Sequence, residues 1–225
     1  MKLFHSWLVL TGIVSLCACT VTPAPTAPSA VTRADALAAT DGFEPLFYRA
    51  FVQNGHDAPD QLEAKRLLRG PLRVYLRTQD ESGRDIDRAT LDATERTLIE
   101  SARIWSGEMF AVAEVERGTK TREKVPGWIT VKWSNASSTS QCGRSTVGVD
   151  GGYIEFNATG ACSCGARTLV YSRLVRHEMG HAMGYYHTDL PTDVMYGRTI
   201  AAEACDLTPS DRERRHAKFA HTTID

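Results

Sequence analysis

The chain has 225 residues, of which 42% are hydrophobic and 24% charged, and both values lie in the range of ordinary globular proteins. This length is enough for one domain with a sizeable core, so we expect a single folded domain. The 26 Lys and Arg residues nearly balance the 27 Asp and Glu residues, and the formal net charge is −1. No overall field would attract nucleic acid or an acidic surface, so we predict no nucleic-acid partner.

The first segment, residues 1–18, has a lysine near its start and then an apolar run too short to span a bilayer comfortably, which is typical of a signal peptide. It runs into Leu-Cys-Ala-Cys, which resembles the lipobox of bacterial lipoproteins, and by that resemblance Cys19 is lipidated and anchors the mature chain to a membrane. Thr20 is not the Asp of an inner-membrane retention signal, which implies an outer-membrane lipoprotein of the cell envelope, facing periplasm or exterior. A plain secretory signal, or lipidation at Cys17, is the alternative.

A composition shift follows the lipidated cysteine. Residues 19–42 are rich in Pro, Thr, Ala and Ser and offer little to bury, so we predict an extended tether. The folded domain is then expected over residues 43–225, and no internal repeat divides it.

Strand and helix patterns alternate in the folded part. Residues 43–70 mix short apolar clusters with Lys and Arg, and the run that ends at Gly70 and Pro71 predicts a helix stopped by these two residues. Apolar and polar residues alternate over 72–78, which predicts a strand, and apolar residues recur at helical spacing over 87–105. Further strands are predicted over 110–115, 128–133 and 153–157, and further helices over 168–184 and 208–219, the last capped by Thr208.

Two groups of residues admit both a functional and a structural interpretation. Large aromatic side chains at strand or helix spacing are more typical of a core than of a substrate platform. A basic run in a helix is more typical of a solvated face than of a docking patch. We therefore assign Trp105, Trp128 and Trp133 to the core and Arg212, Arg214 and Arg215 to the solvated surface.

Four cysteines remain in the folded part: Cys142, Cys162, Cys164 and Cys205. An even number in an exported chain predicts two disulfides. A bond between Cys162 and Cys164 would close an unusually tight ring, so we expect Cys142 to pair with one of them and Cys205 with the other. A second zinc site built on these thiols is the alternative, although the spacing lacks the paired C-x2-C knuckles usual for structural zinc.

The most informative segment reads HEMGHAMGYYH and matches HExxHxxGxxH at every specified position. Its first two histidines, His177 and His181, stand four apart on a predicted helix, so their imidazoles share one face and can reach one ion. Gly184 allows the positive φ at which the helix can end and the chain can turn back. His187 then completes a set of three ligands, predicted to bind one zinc ion.

The neighbouring carboxylate has a different predicted role. Three neutral imidazoles leave a fourth tetrahedral position for water, which is typical of catalytic rather than structural zinc. Glu178 is rotated by about a hundred degrees around the helix from His177, so it cannot easily bind the same ion. It can instead point toward the water, and we predict that Glu178 is the general base.

With the methionine that follows the third histidine, the chain resembles the metzincin zinc peptidases, and among them the matrixin group. The segment Asp193 to Gly197, sequence DVMYG, is similar to the Met-turn of that clan, which implies that Met195 lies as an apolar base under the metal without binding it. Thr188 approximates the Ser that matrixins often have after the third histidine. No cysteine-switch motif and no matrixin-like second zinc or calcium site can be identified, so structural calcium stays an open question.

The resemblance implies an α+β, zincin-like fold in which a twisted mixed sheet is backed by helices, including an active-site helix over 168–184 and a C-terminal helix. The strand over 153–157 would form the upper rim of a cleft, where a peptide adds as an extended strand, and residues 190–200 would line the pocket beyond the scissile bond. The implied activity is that of a zinc-dependent endopeptidase acting on peptide or protein substrates. A noncatalytic envelope-binding lipoprotein and a zinc hydrolase of nonpeptide amides or esters are the alternatives.

Overall fold

The computed structural model of the protein describes residues 42–135, 141–165, 168–198 and 204–223. Within these ranges it is an α+β structure with a mixed five-stranded sheet and four helices, which confirms the fold class at that level. The predicted signal peptide, Cys19 and the tether up to residue 41 lie outside the described ranges. None of the helices in these ranges has the length and apolar character needed to cross a membrane.

The sheet contains four parallel strands and a short antiparallel strand at one edge. Its strands span Leu72–Arg77 (β1), Val112–Gly118 (β2), Trp128–Ser134 (β3), Gly143–Ser145 (β4) and Tyr153–Asn157 (β5). Their order across the sheet is β2-β1-β3-β5-β4, and only β4 runs antiparallel to its neighbour. The central strand β3 is buried along almost its whole length, as expected for a parallel strand covered on both faces.

Two of the four helices begin at a residue whose side chain caps the first turn. The helices span Pro45–Gln53 (α1), Arg88–Trp105 (α2), Ser172–Met183 (α3) and Asp211–Thr222 (α4). Asp87 caps α2 by accepting a hydrogen bond from the backbone N–H of Thr90. Ser210 caps α4 in a reciprocal capping box with Glu213. The predicted cap at Thr208 was therefore two residues early, because Ser210 has the matching glutamate three positions later.

One cluster of buried side chains joins the sheet to all four helices. Trp105 and Trp133 belong to it and are 0% and 1% exposed, which confirms their assignment to the core. Trp128 is also buried, but it points to the opposite face of β3 from Trp133, where the guanidinium groups of Arg73 and Arg122 lie 4.8 and 5.5 Å from its ring. The indole of Trp128 is thus covered by two arginines and offers no substrate platform.

The basic run in α4 only partly follows its prediction. Arg215 is exposed, as expected for a solvated face, but Arg212 is half-buried. The Arg212 guanidinium donates to the Asp193 carboxylate at 2.7 Å and lies 4.0 Å from the ring centre of Phe47. Arg212 therefore ties α4 to the chain around the predicted Met-turn and to α1.

The predicted helix that ends at Gly70 and Pro71 was wrong. The helix of this region is α1, and residues 61–69 are not helical. Their backbone groups form hydrogen bonds with other segments: the N–H of Glu63 donates to the carbonyl of Gln53, and the N–H of Leu68 donates to the carbonyl of Met183. Tertiary hydrogen bonds thus replaced the local ones that the sequence pattern favoured.

Strand β4 was not predicted, because three residues are too short to show an alternating pattern. The other strands and α2 lie within a few residues of their predicted positions, whereas α3 begins four residues later than predicted, at Ser172. Since β4 pairs with β5, the strand over 153–157 is not the edge strand, which corrects the predicted upper rim.

Both predicted disulfides are present. Cys142 pairs with Cys162 and Cys164 pairs with Cys205, at Cα separations of 5.5 and 6.2 Å. This agrees with the expectation that Cys162 and Cys164 do not pair with each other, and it excludes a zinc site on these four thiols. Cys142 directly precedes β4, so its disulfide stabilises the position of the edge strand beside the cleft described below.

Candidate metal centre and cleft

Helix α3 and the turn after it bring the three predicted ligands together. His177 and His181 lie one turn apart on α3, and the helix ends at Gly184, whose φ is 109°. A side chain at Gly184 would collide with the carbonyl oxygen of Arg66, so both the positive φ and the close packing require glycine. The chain then turns back and carries His187 to the same point.

The three histidines form a group that could hold a metal ion. One ring nitrogen from each lies within 4.8 Å of the other two. The Nε2 atoms of His181 and His187 are 3.1 Å apart, close to the separation of about 3.4 Å that two imidazole ligands show around one tetrahedral zinc ion. The predicted ligand set is therefore assembled in one place, while the geometry alone does not identify the metal.

A hydrogen bond at the opposite ring nitrogen orients each imidazole. Nδ1 of His177 lies 2.8 Å from the carbonyl oxygen of Val194, and Nδ1 of His181 lies 2.8 Å from that of Tyr185. Nδ1 of His187 lies 2.7 Å from the Asp57 carboxylate. All three partners are acceptors, so each Nδ1 carries the proton and each Nε2 keeps a lone pair for a metal. This arrangement fits zinc, which binds neutral imidazole nitrogen.

The two histidines of α3 are also held in the neutral form that metal binding needs. Burial lowers the pKa of His177 far below its ordinary value of 6.5, and the neighbouring His181 lowers it further. Burial likewise lowers the pKa of His181 to about 4. Both rings are therefore neutral at physiological pH and do not have to lose a proton before they bind a metal.

The buried carboxylate of Glu178 has one oxygen without a hydrogen-bond partner among the described residues. Its side chain is 3% exposed, and its Oε2 atom makes no hydrogen bond to any residue that the structure describes. Burial raises the pKa of Glu178 to about 8. A Cβ atom added to Gly143 in β4 would come within 2.6 Å of Oε1, so the edge strand lies directly against this carboxylate. A buried acceptor that the protein leaves unpaired is a feature of functional sites.

Met195 packs against the helix that carries His177 and His181. It is fully buried, and a side chain larger than hydrogen at Gly180 of α3 would collide with its sulfur. The backbone N–H groups of Val194 and Met195 donate to the Glu213 carboxylate at 3.1 and 2.9 Å. Burial, together with the nearby charge of Asp193, raises the pKa of Glu213 to about 7. Helix α4 therefore holds the backbone of Met195 in place through Glu213.

These groups line an open cleft of about 600 Å³. One wall is β4 with Gln141 and Cys142. The floor consists of α3, which carries His177, Glu178 and His181, together with His187. Of the predicted pocket segment 190–200, residues 196–198 line the cleft, and residues 199–200 lie outside the described ranges. Leu190 does not line it and is 40% exposed.

Sequence reasoning missed two residues of this site. Asp57 comes from the segment before β1 and lies 130 positions from His187, and no local pattern indicates that contact. Glu213 had a signal, because Ser210 followed three residues later by a glutamate is a capping-box pattern, but its hydrogen bond to the backbone of Met195 depends on tertiary packing.

Comparison with protein-family models and with curated proteins found no match for this chain. The resemblance to the metzincins therefore depends on the sequence, in motif detail on residues 169–197.

Proposed function

We propose that this protein is a zinc-dependent endopeptidase in which His177, His181 and His187 bind the metal and Glu178 is the general base. The observation that carries the proposal is the meeting of three oriented imidazoles with a buried, unpaired carboxylate in an open cleft. A structural zinc site would more often be closed by four protein ligands and would need no carboxylate beside it.

The donor set supports zinc as the metal. Imidazole nitrogen suits zinc, and a site with three protein ligands leaves a position for water or substrate. When bound there, zinc would polarise the carbonyl of the scissile peptide and lower the pKa of the attacking water. The Nδ1 hydrogen bonds described above would hold each ring in the orientation for binding and increase its basicity.

Glu178 supplies the proton transfers. Its unpaired Oε2 can accept a proton from the attacking water, because no other described group occupies that acceptor. The same carboxyl group can then deliver the proton to the leaving amine. Since α3 and β4 enclose its side chain, Glu178 stays in place through both steps.

The edge strand supports a polypeptide as substrate. Within the described residues β4 is the last strand of the sheet, and it lies directly beside Glu178. An extended peptide could add to this edge through backbone hydrogen bonds, which would place its carbonyl groups over the floor of the cleft. Such pairing depends little on sequence, so the side-chain contacts in the cleft would set the preference.

The cellular location is a separate proposal and depends on the sequence before the described residues. Leu-Cys-Ala-Cys at residues 16–19 supports lipidation of Cys19 and attachment to the bacterial cell envelope. The tether up to residue 42 would then hold the domain away from the membrane surface.

A cleavage assay on casein tests the function. The protein is assayed as prepared, after removal of metal with a chelator, and after zinc is restored. We expect cleavage, its loss, and its recovery in that order. A zinc-loaded protein that cleaves no peptide bond contradicts the proposal: binding to envelope material would then favour a noncatalytic lipoprotein, and hydrolysis of small amides or esters alone would favour a nonpeptide hydrolase.

A further inference from the structure

One side of the cleft is basic, and the chemistry proposed above does not use it. Arg173 precedes His177 by four residues on α3, so it lies one helical turn from a metal ligand on the same side of the helix. Arg173 and the exposed Arg198 both line the cleft. A substrate that occupies the cleft would therefore meet two guanidinium groups.

Arg173 has more hydrogen-bond donors than partners. Its side chain is 3% exposed, and its single hydrogen bond within the described ranges runs from Nη2 to the backbone carbonyl oxygen of Asp193, at 3.0 Å. The Nε atom is buried without a partner among the described residues. Burying a guanidinium with unpaired donors is unfavourable, so the arrangement indicates a ligand that completes it.

The nearest carboxylates have other partners. Asp193 accepts hydrogen bonds from Ser210 and Arg212, and the Glu213 carboxylate accepts three backbone N–H groups. Burial lowers the pKa of the Arg173 guanidinium, and the negative charges of Glu213 and Asp193 oppose this only in part.

The carboxylates that line the rest of the cleft are also engaged elsewhere. Asp57 bonds to His187, and Glu63 accepts from Tyr186 and from Asn54. Glu178, the remaining acidic residue of the cleft lining, is the proposed general base. Within the described ranges, no acidic side chain of the protein therefore pairs with Arg173.

We propose that this side of the cleft binds a carboxylate of the substrate next to the scissile bond, with Arg173 as its main partner and Arg198 as a second. The inference rests on the proposed peptidase function and names its substrate class. Guanidinium and carboxylate can form two parallel, charge-assisted hydrogen bonds, which a neutral amide cannot reproduce. The carboxylate can belong to an Asp or Glu side chain or to the C-terminus of the peptide.

Matched quenched-fluorescent peptides test this on the full, zinc-loaded chain. They differ only at the residues flanking the scissile bond, which are Glu, Gln or Leu in turn in C-terminally amidated peptides. A further peptide presents its own C-terminal carboxylate there. We expect kcat/KM for Glu to exceed that for Gln by about 10-fold or more at one flank. Preference for the peptide with the C-terminal carboxylate alone would identify the terminus as the source.

Arginine variants connect the preference to its residues. Arg173→Gln should reduce the Glu/Gln ratio of kcat/KM to roughly 1, and Arg198→Gln should reduce it by about two- to threefold, because Arg198 is exposed. Arg176→Gln is the matched control: Arg176 is a buried arginine of the same helix that binds the backbone carbonyls of Asp206 and Leu207 and does not line the cleft. The ratio should stay unchanged in this variant even if less of it folds.

The outcomes separate this inference from the function on which it rests. Equal cleavage of all four peptides by the unmodified protein, including the one that presents its C-terminal carboxylate, would overturn the carboxylate site and leave the peptidase intact. Failure to cleave any peptide would overturn the proposed function and, with it, this inference. If Arg173→Gln does not fold, the preference of the unmodified protein and its reduction in Arg198→Gln decide the question.

Discussion

Two regions of the chain meet at the three histidines, and they reach that point in different ways. Residues 172–197 carry the three histidines, Glu178 and Met195 in one short stretch, where helix geometry sets most of their positions. The segment 42–70 comes from the other end of the described chain and contributes Asp57, which bonds to His187. The comparison shows that a local motif can bring three imidazoles together while a distant segment orients one of them.

The largest expected effect is at the residue where the two regions meet. His187→Ala would leave two imidazoles, so zinc affinity and casein cleavage should fall together, each by at least about 100-fold. Zinc content after dialysis and the cleavage rate are measured on the same preparation. His56→Ala is the control, because His56 is exposed near Asp57 and belongs to no group of possible metal ligands among the described residues. A His187→Ala protein that retained zinc would contradict the ligand assignment.

The contribution of the distant segment is tested at Asp57. Asp57→Ala removes the acceptor at Nδ1 of His187 and should weaken zinc binding by about 10- to 100-fold, whereas Asp57→Asn keeps an acceptor oxygen and should weaken it less. Competition with a chelating dye measures the affinity without reference to cleavage. Asp60→Ala, at an exposed position of the same loop, should leave the affinity unchanged. If Asp57→Ala bound zinc as tightly as the unmodified protein, the segment would have no part in orienting the ligand.

A smaller effect is expected where α4 supports the motif region. Glu213→Gln replaces a carboxylate that accepts three backbone N–H groups with an amide that has one acceptor oxygen, so it should lower the free energy of unfolding by about 1–3 kcal/mol. Urea unfolding gives the value. Glu108→Gln alters an exposed ion pair and should change the free energy by less than about 0.5 kcal/mol. Equal stability of the two variants would rule out a supporting role for Glu213.

The smallest expected effect concerns a hydrogen bond between the segment 42–70 and α4, and it depends on pH. Nε2 of His216 accepts the backbone N–H of Glu44 at 2.9 Å, which requires a neutral ring. Burial lowers the pKa of His216 below its ordinary 6.5, and the charges of Arg215 and Arg212 lower it further. The hydrogen bond to the Arg212 carbonyl and the carboxylate of Glu44 raise this pKa but only partly offset the decrease. The unfolded chain therefore binds more protons below pH 6.5, and stability is lost as pH falls from there toward the folded-state pKa.

Urea unfolding at about pH 7.5 and 5.5 checks this sign. The unmodified protein should be less stable at the lower pH, and His216→Gln should show a smaller difference, because the amide can accept the same N–H without titrating. His56→Gln, at an exposed histidine, should keep the full difference. Identical pH dependence in His216→Gln and the unmodified protein would show that other groups account for it.

The sequence predicted what depends on neighbours in the chain. The helical spacing of His177 and His181 and the turn at Gly184 follow from the geometry of one helix, and the structure agrees with each. The strands over 72–78 and 128–133 were found because alternation persists over six or more residues. The even number of cysteines likewise predicted two disulfides.

What sequence reasoning missed depends on packing between distant parts of the chain. Strand β4 exists because it pairs with β5, and three residues carry no periodic signal of their own. Residues 61–69 have the composition of a helix, but their backbone bonds to α1 and to the end of α3 outweigh that local preference. The buried, unpaired Nε of Arg173 could not be foreseen, since the group that its side chain does bond, the backbone carbonyl of Asp193, belongs to another segment of the chain.

The most direct test of the central claim compares zinc content with the cleavage rate in Glu178→Gln. Glu178 lies outside the ligand group, and glutamine has nearly the same shape, so this variant should fold, bind about one zinc ion per chain and lose at least about 100-fold in cleavage rate. Metal analysis and casein cleavage on one preparation give both quantities. A Glu178→Gln protein that binds zinc and cleaves casein at nearly the unmodified rate would contradict the assignment of Glu178 as the general base and the mechanism built on it.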